Sequence, residues 1–85
     1  MDIREVFALN LRKHRQAAKL SQEELALRAG IDRTYISSLE RCLYAAGIDV
    51  VDRLARAMSV EAIDLLRRPT TRGRQRSKVK PSLDK

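Results

Sequence analysis

The stretch LSQEELALRAGIDRTYISSLER, residues 20–41, constrains the fold of this chain more than any other segment. Ser21 is followed three residues later by Glu24, the spacing of a capping box, which predicts that a helix begins there. Gly30 stands where that helix would end in a left-handed residue, and Asp32 can cap a second helix. The stretch therefore predicts two short helices that are separated by a tight break.

Apolar residues recur at helical spacing along the rest of the chain, without the alternation that is typical of a half-buried β-strand. We predict a first helix over Asp2–Ala18, and the helix that Asp32 caps is predicted over Arg33–Arg41. A fourth helix is predicted by an apolar stripe that consists of Ile48, Val51, Leu54, Ala55 and Met58. A fifth helix is predicted by a second stripe, which consists of Val60, Ile63, Leu65 and Leu66. Pro69 ends the last helix. The sequence therefore predicts an all-α, compact five-helix domain over residues 1–68.

The net charge of +7 is distributed unevenly over the 85 residues. From Arg67 onward there are eight basic residues and one acid, Asp84, which together give +7, so residues 1–66 sum to zero. Residues 69–85 are rich in Arg, Lys, Ser and Thr and cannot bury enough apolar surface to fold. We predict that they form a flexible, disordered basic tail. A tail of this kind can bind the backbone of nucleic acid, and a merely solubilising extension is the alternative.

The sequence offers few groups that could cross a membrane, form a disulfide, bind a metal or catalyse a reaction. No apolar run approaches the roughly 18 residues that cross a bilayer, and the N-terminus lacks a secretory signal, so we expect a cytoplasmic protein without a membrane segment. Cys42 has no second cysteine with which to form a disulfide, and His14 is the only further soft ligand. We therefore expect no structural metal and no cofactor. The sequence offers no nucleophile–base pair, so we also expect that the protein is not an enzyme.

Two short helices that are joined by a tight turn form a helix-turn-helix, whose second helix can enter the DNA major groove, about 12 Å wide. Leu25 and Ala29 on the first helix and Ile36 on the second are spaced to pack the pair together. The opposite face of the second helix is predicted to read base edges. That face consists of Arg33, Thr34, Ser37 and Ser38.

The run LRKHRQAAKLSQEELALRAGIDRTYISSLER resembles the Xre, or phage lambda repressor-like, DNA-binding domain, and the similarity covers about residues 3–68. The resemblance implies that Gln22 contacts phosphate and braces the recognition helix. It also implies that Arg41 lies beside a loop that grips the DNA backbone. Tyr35 is predicted either to pack on the surface or to touch the backbone. Arg15 and Glu40 align with a pair that forms a buried salt bridge in some members.

The segment after the second helix departs from the family pattern. The family usually has Gly after Glu-Arg, often at positive φ, and then a polar stretch. This chain has Cys42 at the position of that Gly, and the run CLYAAGI lacks the usual polar side chains. We therefore expect a loop that is either strained or differently shaped and that lacks the usual side-chain contacts with phosphate.

The resemblance implies a sequence-specific DNA-binding transcriptional regulator that acts on double-stranded DNA at the nucleoid. We interpret it as a dimeric repressor or autoregulator that reads a palindromic operator through the major groove. Val60, Ile63 and Leu66 are the predicted homodimer contact, and packing of these residues against the first helix is the alternative. The competing interpretation is an antitoxin-like or other protein-interaction module that mainly binds a protein partner. RNA binding through the tail is a further alternative.

Overall fold

The computed structural model describes residues 1–69, and within this range the chain forms five α-helices and no β-strand. The helices are α1 (Ile3–Ala17), α2 (Gln22–Ala29), α3 (Arg33–Glu40), α4 (Ile48–Ala57) and α5 (Ala62–Leu66). The predicted all-α, five-helix fold is therefore confirmed. None of these helices is long and apolar enough to cross a membrane. The predicted basic tail, apart from Pro69, lies outside the described residues.

Side-chain caps determine where α2 and α3 begin. The Ser21 hydroxyl accepts a hydrogen bond from the Glu24 backbone N–H at 3.0 Å, and the Glu24 carboxylate accepts one from the Ser21 N–H at 2.8 Å. The second bond stabilises the ionised form of Glu24 and lowers the pKa of that carboxyl below its ordinary value. The Asp32 carboxylate accepts from the Thr34 N–H at 2.7 Å and begins α3. Both predicted caps are therefore present.

The break between α2 and α3 consists of Gly30, Ile31 and Asp32. Gly30 has a φ of 69° and a ψ of 38°, the left-handed conformation that L side chains adopt at a cost. The Ile31 N–H donates to the Ala26 carbonyl at 3.0 Å and closes the end of α2. The chain can therefore end α2 and begin α3 within three residues.

One aliphatic core holds the five helices together. Its fully buried side chains come from every helix, and they are Val6, Leu11, Leu25, Ile36, Leu39, Leu54 and Leu65. Asn10, which is also buried, donates from Nδ2 to the carbonyls of Leu65 at 3.1 Å and Arg67 at 2.8 Å. This side chain ties the end of α5 to α1. The core therefore fixes α2 and α3 against a frame that is made by α1, α4 and α5.

Candidate nucleic-acid interface

The first half of α3 presents polar side chains that no other helix covers. Arg33 and Thr34 are exposed, and Ser37, one turn later, is half-buried. Tyr35 is half-buried, and its ring lies 6.2 Å from the ring of Tyr44 with the planes tilted by 44°. Three of the four side chains that the sequence assigned to base reading therefore lie where a DNA groove could reach them. Tyr35 packs beside Tyr44 next to them, and its contact with the DNA backbone stays a prediction.

Ser38 does not lie on this surface. Its residue is only 7 % exposed, so the expectation that Ser38 belongs to the exposed reading face is wrong. Ser38 stands 100° around the helix from Ser37, at the edge of the polar face. At the end of α3 the Ser38 carbonyl accepts the Leu43 N–H at 2.9 Å, and this backbone bond closes the helix. With Ser38 buried, Arg33, Thr34 and Ser37 remain of the predicted reading face.

The second half of α3 ends in a buried carboxylate. The Glu40 side chain is 1 % exposed, and its Oε2 accepts from Arg15 Nε at 2.6 Å. Arg15 Nη2 donates to Glu40 Oε1 at 3.0 Å, and Arg15 Nη1 donates to the Leu20 carbonyl at 2.9 Å. The hydrogen bond with Glu40 raises the pKa of Arg15 above its ordinary value. The structure therefore brings the two predicted partners together as a bidentate pair that links α1 to α3.

Gln22 joins the same carboxylate from α2. Its Nε2 donates to Glu40 Oε1 at 3.1 Å, and the residue is half-buried at the first position of the helix. This bond connects the start of α2 to the end of α3, which is the bracing role that the resemblance implied. The contact between Gln22 and phosphate stays a prediction.

A further residue, Arg12, approaches the carboxylate and was missed at the level of sequence. Its Nε lies 3.7 Å from Glu40 Oε1, and its side chain is 53 % exposed. The spacing from Arg15 contained the signal, because residues three apart on a helix lie on the same face. Arg12 therefore shares a face of α1 with Arg15, but its approach to Glu40 depends on how α1 packs against α3.

The segment after α3 keeps the left-handed turn although it has no glycine there. Arg41 is exposed and caps α3, and Cys42 follows with a φ of 61°. The Cys42 Sγ lies 3.7 Å from the Arg4 carbonyl oxygen. Of the two predicted alternatives, a strained loop and a differently shaped one, the structure has the strained one at Cys42. Leu43 and Tyr44 are exposed, so this loop presents apolar side chains.

The comparisons with known proteins agree with this geometry. Residues 11–65 match the model of the helix-turn-helix family. The chain belongs to that family. It is similar to a hypothetical transcription factor from Neisseria meningitidis, with 41 % identity over 84 % of this chain and 67 % of that protein. The crystal structure of the Neisseria factor superposes with a TM-score of 0.78 and covers 80 % of this chain and 78 % of that chain.

This helix-turn-helix chain is also similar to two controller proteins. The control protein C.SmaI from Serratia marcescens is 39 % identical over 88 % of this chain and 89 % of that protein. The restriction-modification controller protein C.Esp1396I, solved as a tetramer in complex with its natural 35-base-pair operator, is 25 % identical. That structure covers 76 % of this chain and 86 % of its own, with a TM-score of 0.71. The predictions of a lambda repressor-like family and of a DNA-binding transcriptional regulator, rather than an enzyme, are confirmed.

Proposed function

We propose that α3 enters the major groove of an operator and that Arg33, Thr34 and Ser37 read its bases. The observation that carries this assignment is that Arg33 and Thr34 are exposed and Ser37 is half-buried, whereas Glu40 at the end of α3 is bonded to α1 and to α2. Arg33 offers a guanidinium for bidentate bonds to guanine, whereas the two hydroxyls can donate to or accept from any base edge. Because Ser38 is buried, it is not among the reading residues.

The contacts with the DNA backbone are assigned to side chains at the borders of the motif. These are Gln22 at the start of α2, Tyr35 within α3 and Arg41 directly after α3. Contacts of this kind fix the orientation of the domain on the duplex and carry no sequence information themselves. We assign the basic tail to the same role, as an arm that adds affinity for any sequence.

We further infer that the chain works as a homodimer on a palindromic operator. Ile63 is 61 % exposed and Leu66 is 41 % exposed, so α5 presents apolar surface outside the core. Val60 is partly buried against the core, which makes it a weaker candidate for the dimer contact. The tetrameric, operator-bound C.Esp1396I supports assembly on DNA. A repressor or autoregulator of this kind would act in the cytoplasm, at the nucleoid.

Selection of binding sites from a random pool of DNA duplexes tests this function. Purified protein should enrich one sequence with two-fold symmetry, and footprinting on the DNA upstream of its own gene should protect a matching site. Ser38→Ala should enrich the same sequence, because a buried side chain does not read bases. A folded protein that enriches no sequence would contradict the proposal and favour the protein-interaction module.

A further inference from the structure

The carboxylate of Glu40 gathers two arginines, and only one of them is needed to neutralise it. Arg15 occupies both carboxylate oxygens with hydrogen bonds of 2.6 and 3.0 Å, and its side chain is 13 % exposed. Gln22 adds a third hydrogen bond. Two guanidinium charges and one carboxylate leave an excess of one positive charge in this cluster. That excess resides on the more exposed member, Arg12.

The guanidinium of Arg12 has N–H donors that its ion pair with Glu40 does not use. At 3.7 Å from Glu40 Oε1, its Nε is beyond hydrogen-bond distance, and no hydrogen bond from Arg12 to any residue of the range 1–69 is present. A guanidinium carries five N–H donors in a planar fork that matches two oxygens of a phosphate. The ion pair therefore restrains where Arg12 lies without using the groups that would bind a ligand.

The position of Arg12 relates it to the proposed DNA surface. Arg12 Nε and Gln22 Nε2 approach the same carboxylate oxygen, at 3.7 and 3.1 Å. The two side chains are thus neighbours at the junction of α1 and α2, beside a residue that is assigned to the DNA backbone. The next residue along α1, Lys13, lies elsewhere and lines a cavity with Asp64 and Arg67 on the side of α5.

We propose that Arg12 binds a phosphate of the DNA backbone, next to the phosphate contact of Gln22. This inference rests on the proposed function, because it adds a contact to the same interface. The ion pair with Glu40 keeps the guanidinium near the surface, and DNA then supplies the second anion. An ion pair between a half-exposed arginine and a carboxylate contributes little to stability. Arg12 is therefore used for binding, whereas Arg15 is used for folding.

The salt dependence of binding to a fluorescein-labelled, mixed-sequence DNA duplex tests this contact. Each neutralised phosphate contributes about 0.9 to the slope of log affinity against log salt. Arg12→Gln should therefore lower the slope by about 0.9 relative to the unchanged chain. Arg12→Lys keeps the charge and should keep the slope. Lys13→Gln removes the same charge one residue further along α1 and should leave the slope unchanged.

The outcomes separate this contact from the function on which it rests. If the unchanged chain binds the duplex with a clear salt slope and Arg12→Gln has the same slope, the Arg12 contact is overturned and the proposed function stands. If the unchanged chain binds no duplex, both fail. If Arg12→Lys lowers the salt slope as much as Arg12→Gln does, the lower slope is not caused by the lost charge. The proposed Arg12 contact is then also overturned. All slopes are compared at a temperature at which each variant keeps its native helical circular dichroism signal.

Discussion

The two ends of α3 differ in exposure and in bonding. In the first half, Arg33 and Thr34 are exposed and project from the domain. In the second half, Leu39 and Glu40 are buried, and Glu40 is bonded to α1 and to α2. An eight-residue helix is too short to be stable alone in water, so its orientation depends on the anchored half. The reading surface is therefore positioned by core side chains and by the Arg15–Glu40 pair, which do not need to touch DNA.

The same contrast continues in the turns that flank α3. Gly30 precedes the helix with a φ of 69°, and Cys42 follows it with a φ of 61°. The φ angles of Gly30 and Cys42 are nearly equal, but only glycine adopts this left-handed conformation without steric cost. A relaxed turn therefore leads into the exposed half, whereas a strained turn follows the buried half. The packing and hydrogen bonds of the buried half must offset that strain.

Removing one partner of the Arg15–Glu40 pair should cause the largest loss in the free energy of unfolding. Removal of one partner leaves the other charge buried and unpaired, so Arg15→Ala or Glu40→Ala should each lower the free energy of unfolding by about 3–5 kcal/mol. The double variant should cost less than the sum of the two. Urea unfolding of the four proteins in the cycle measures this coupling. Small, additive losses would mean that the pair is not buried in solution.

Breaking the exposed half should change binding and leave folding intact. Arg33→Ala should weaken binding to the selected operator by about 1–3 kcal/mol and relax the preference at one base position. The melting temperature should stay the same, since Arg33 supports no core contact. Titration of the operator and of a scrambled duplex measures the difference. Equal losses on both would instead assign Arg33 to the DNA backbone.

Local sequence patterns predict one part of this site, and long-range packing determines the other part. The helices, the caps at Ser21 and Asp32 and the turn at Gly30 follow from local patterns, because a cap or a left-handed glycine involves only neighbours in the chain. The burial of Ser38 could not be predicted in this way. Helical periodicity gives the faces of an isolated helix, whereas the burial of Ser38 depends on what packs around α3 in the folded chain.

The ion-pair cluster was predictable only in part. Arg15 and Glu40 each continue an apolar stripe by one helical step, so a pairing at the edge of the core was predictable. The approach of Arg12 depends on the distance between α1 and α3, and the sequence does not contain that distance. The homodimer contact of Val60 stays a prediction, and its side chain packs partly against the core of its own chain.

A substitution at Gly30 can give the turn before α3 the same left-handed, non-glycine residue that the turn after α3 has at Cys42. Gly30→Ala places a Cβ in the left-handed region, and the structure has open space around that atom, so the cost should be conformational only. We expect the free energy of unfolding to fall by about 1–2 kcal/mol. Thermal and urea unfolding measure this loss. Substitution of Gly47, which has a φ of −72° and equally open space, by Ala is the matched control and should cost much less.

The turn after α3 can be relaxed in the same way, and this change should have the smallest effect. Cys42→Gly removes the steric cost of a left-handed φ, but glycine also gains entropy in the unfolded chain, and the two terms partly cancel. We expect a net gain of about 0.5–1 kcal/mol in the free energy of unfolding. Cys42→Ala is the control, because it removes the same sulfur and keeps the Cβ, so it should bring no gain. If both substitutions destabilise the domain equally, the contact of the Cys42 sulfur near Arg4 outweighs the backbone strain. In that case the two turns differ in packing rather than in conformational cost.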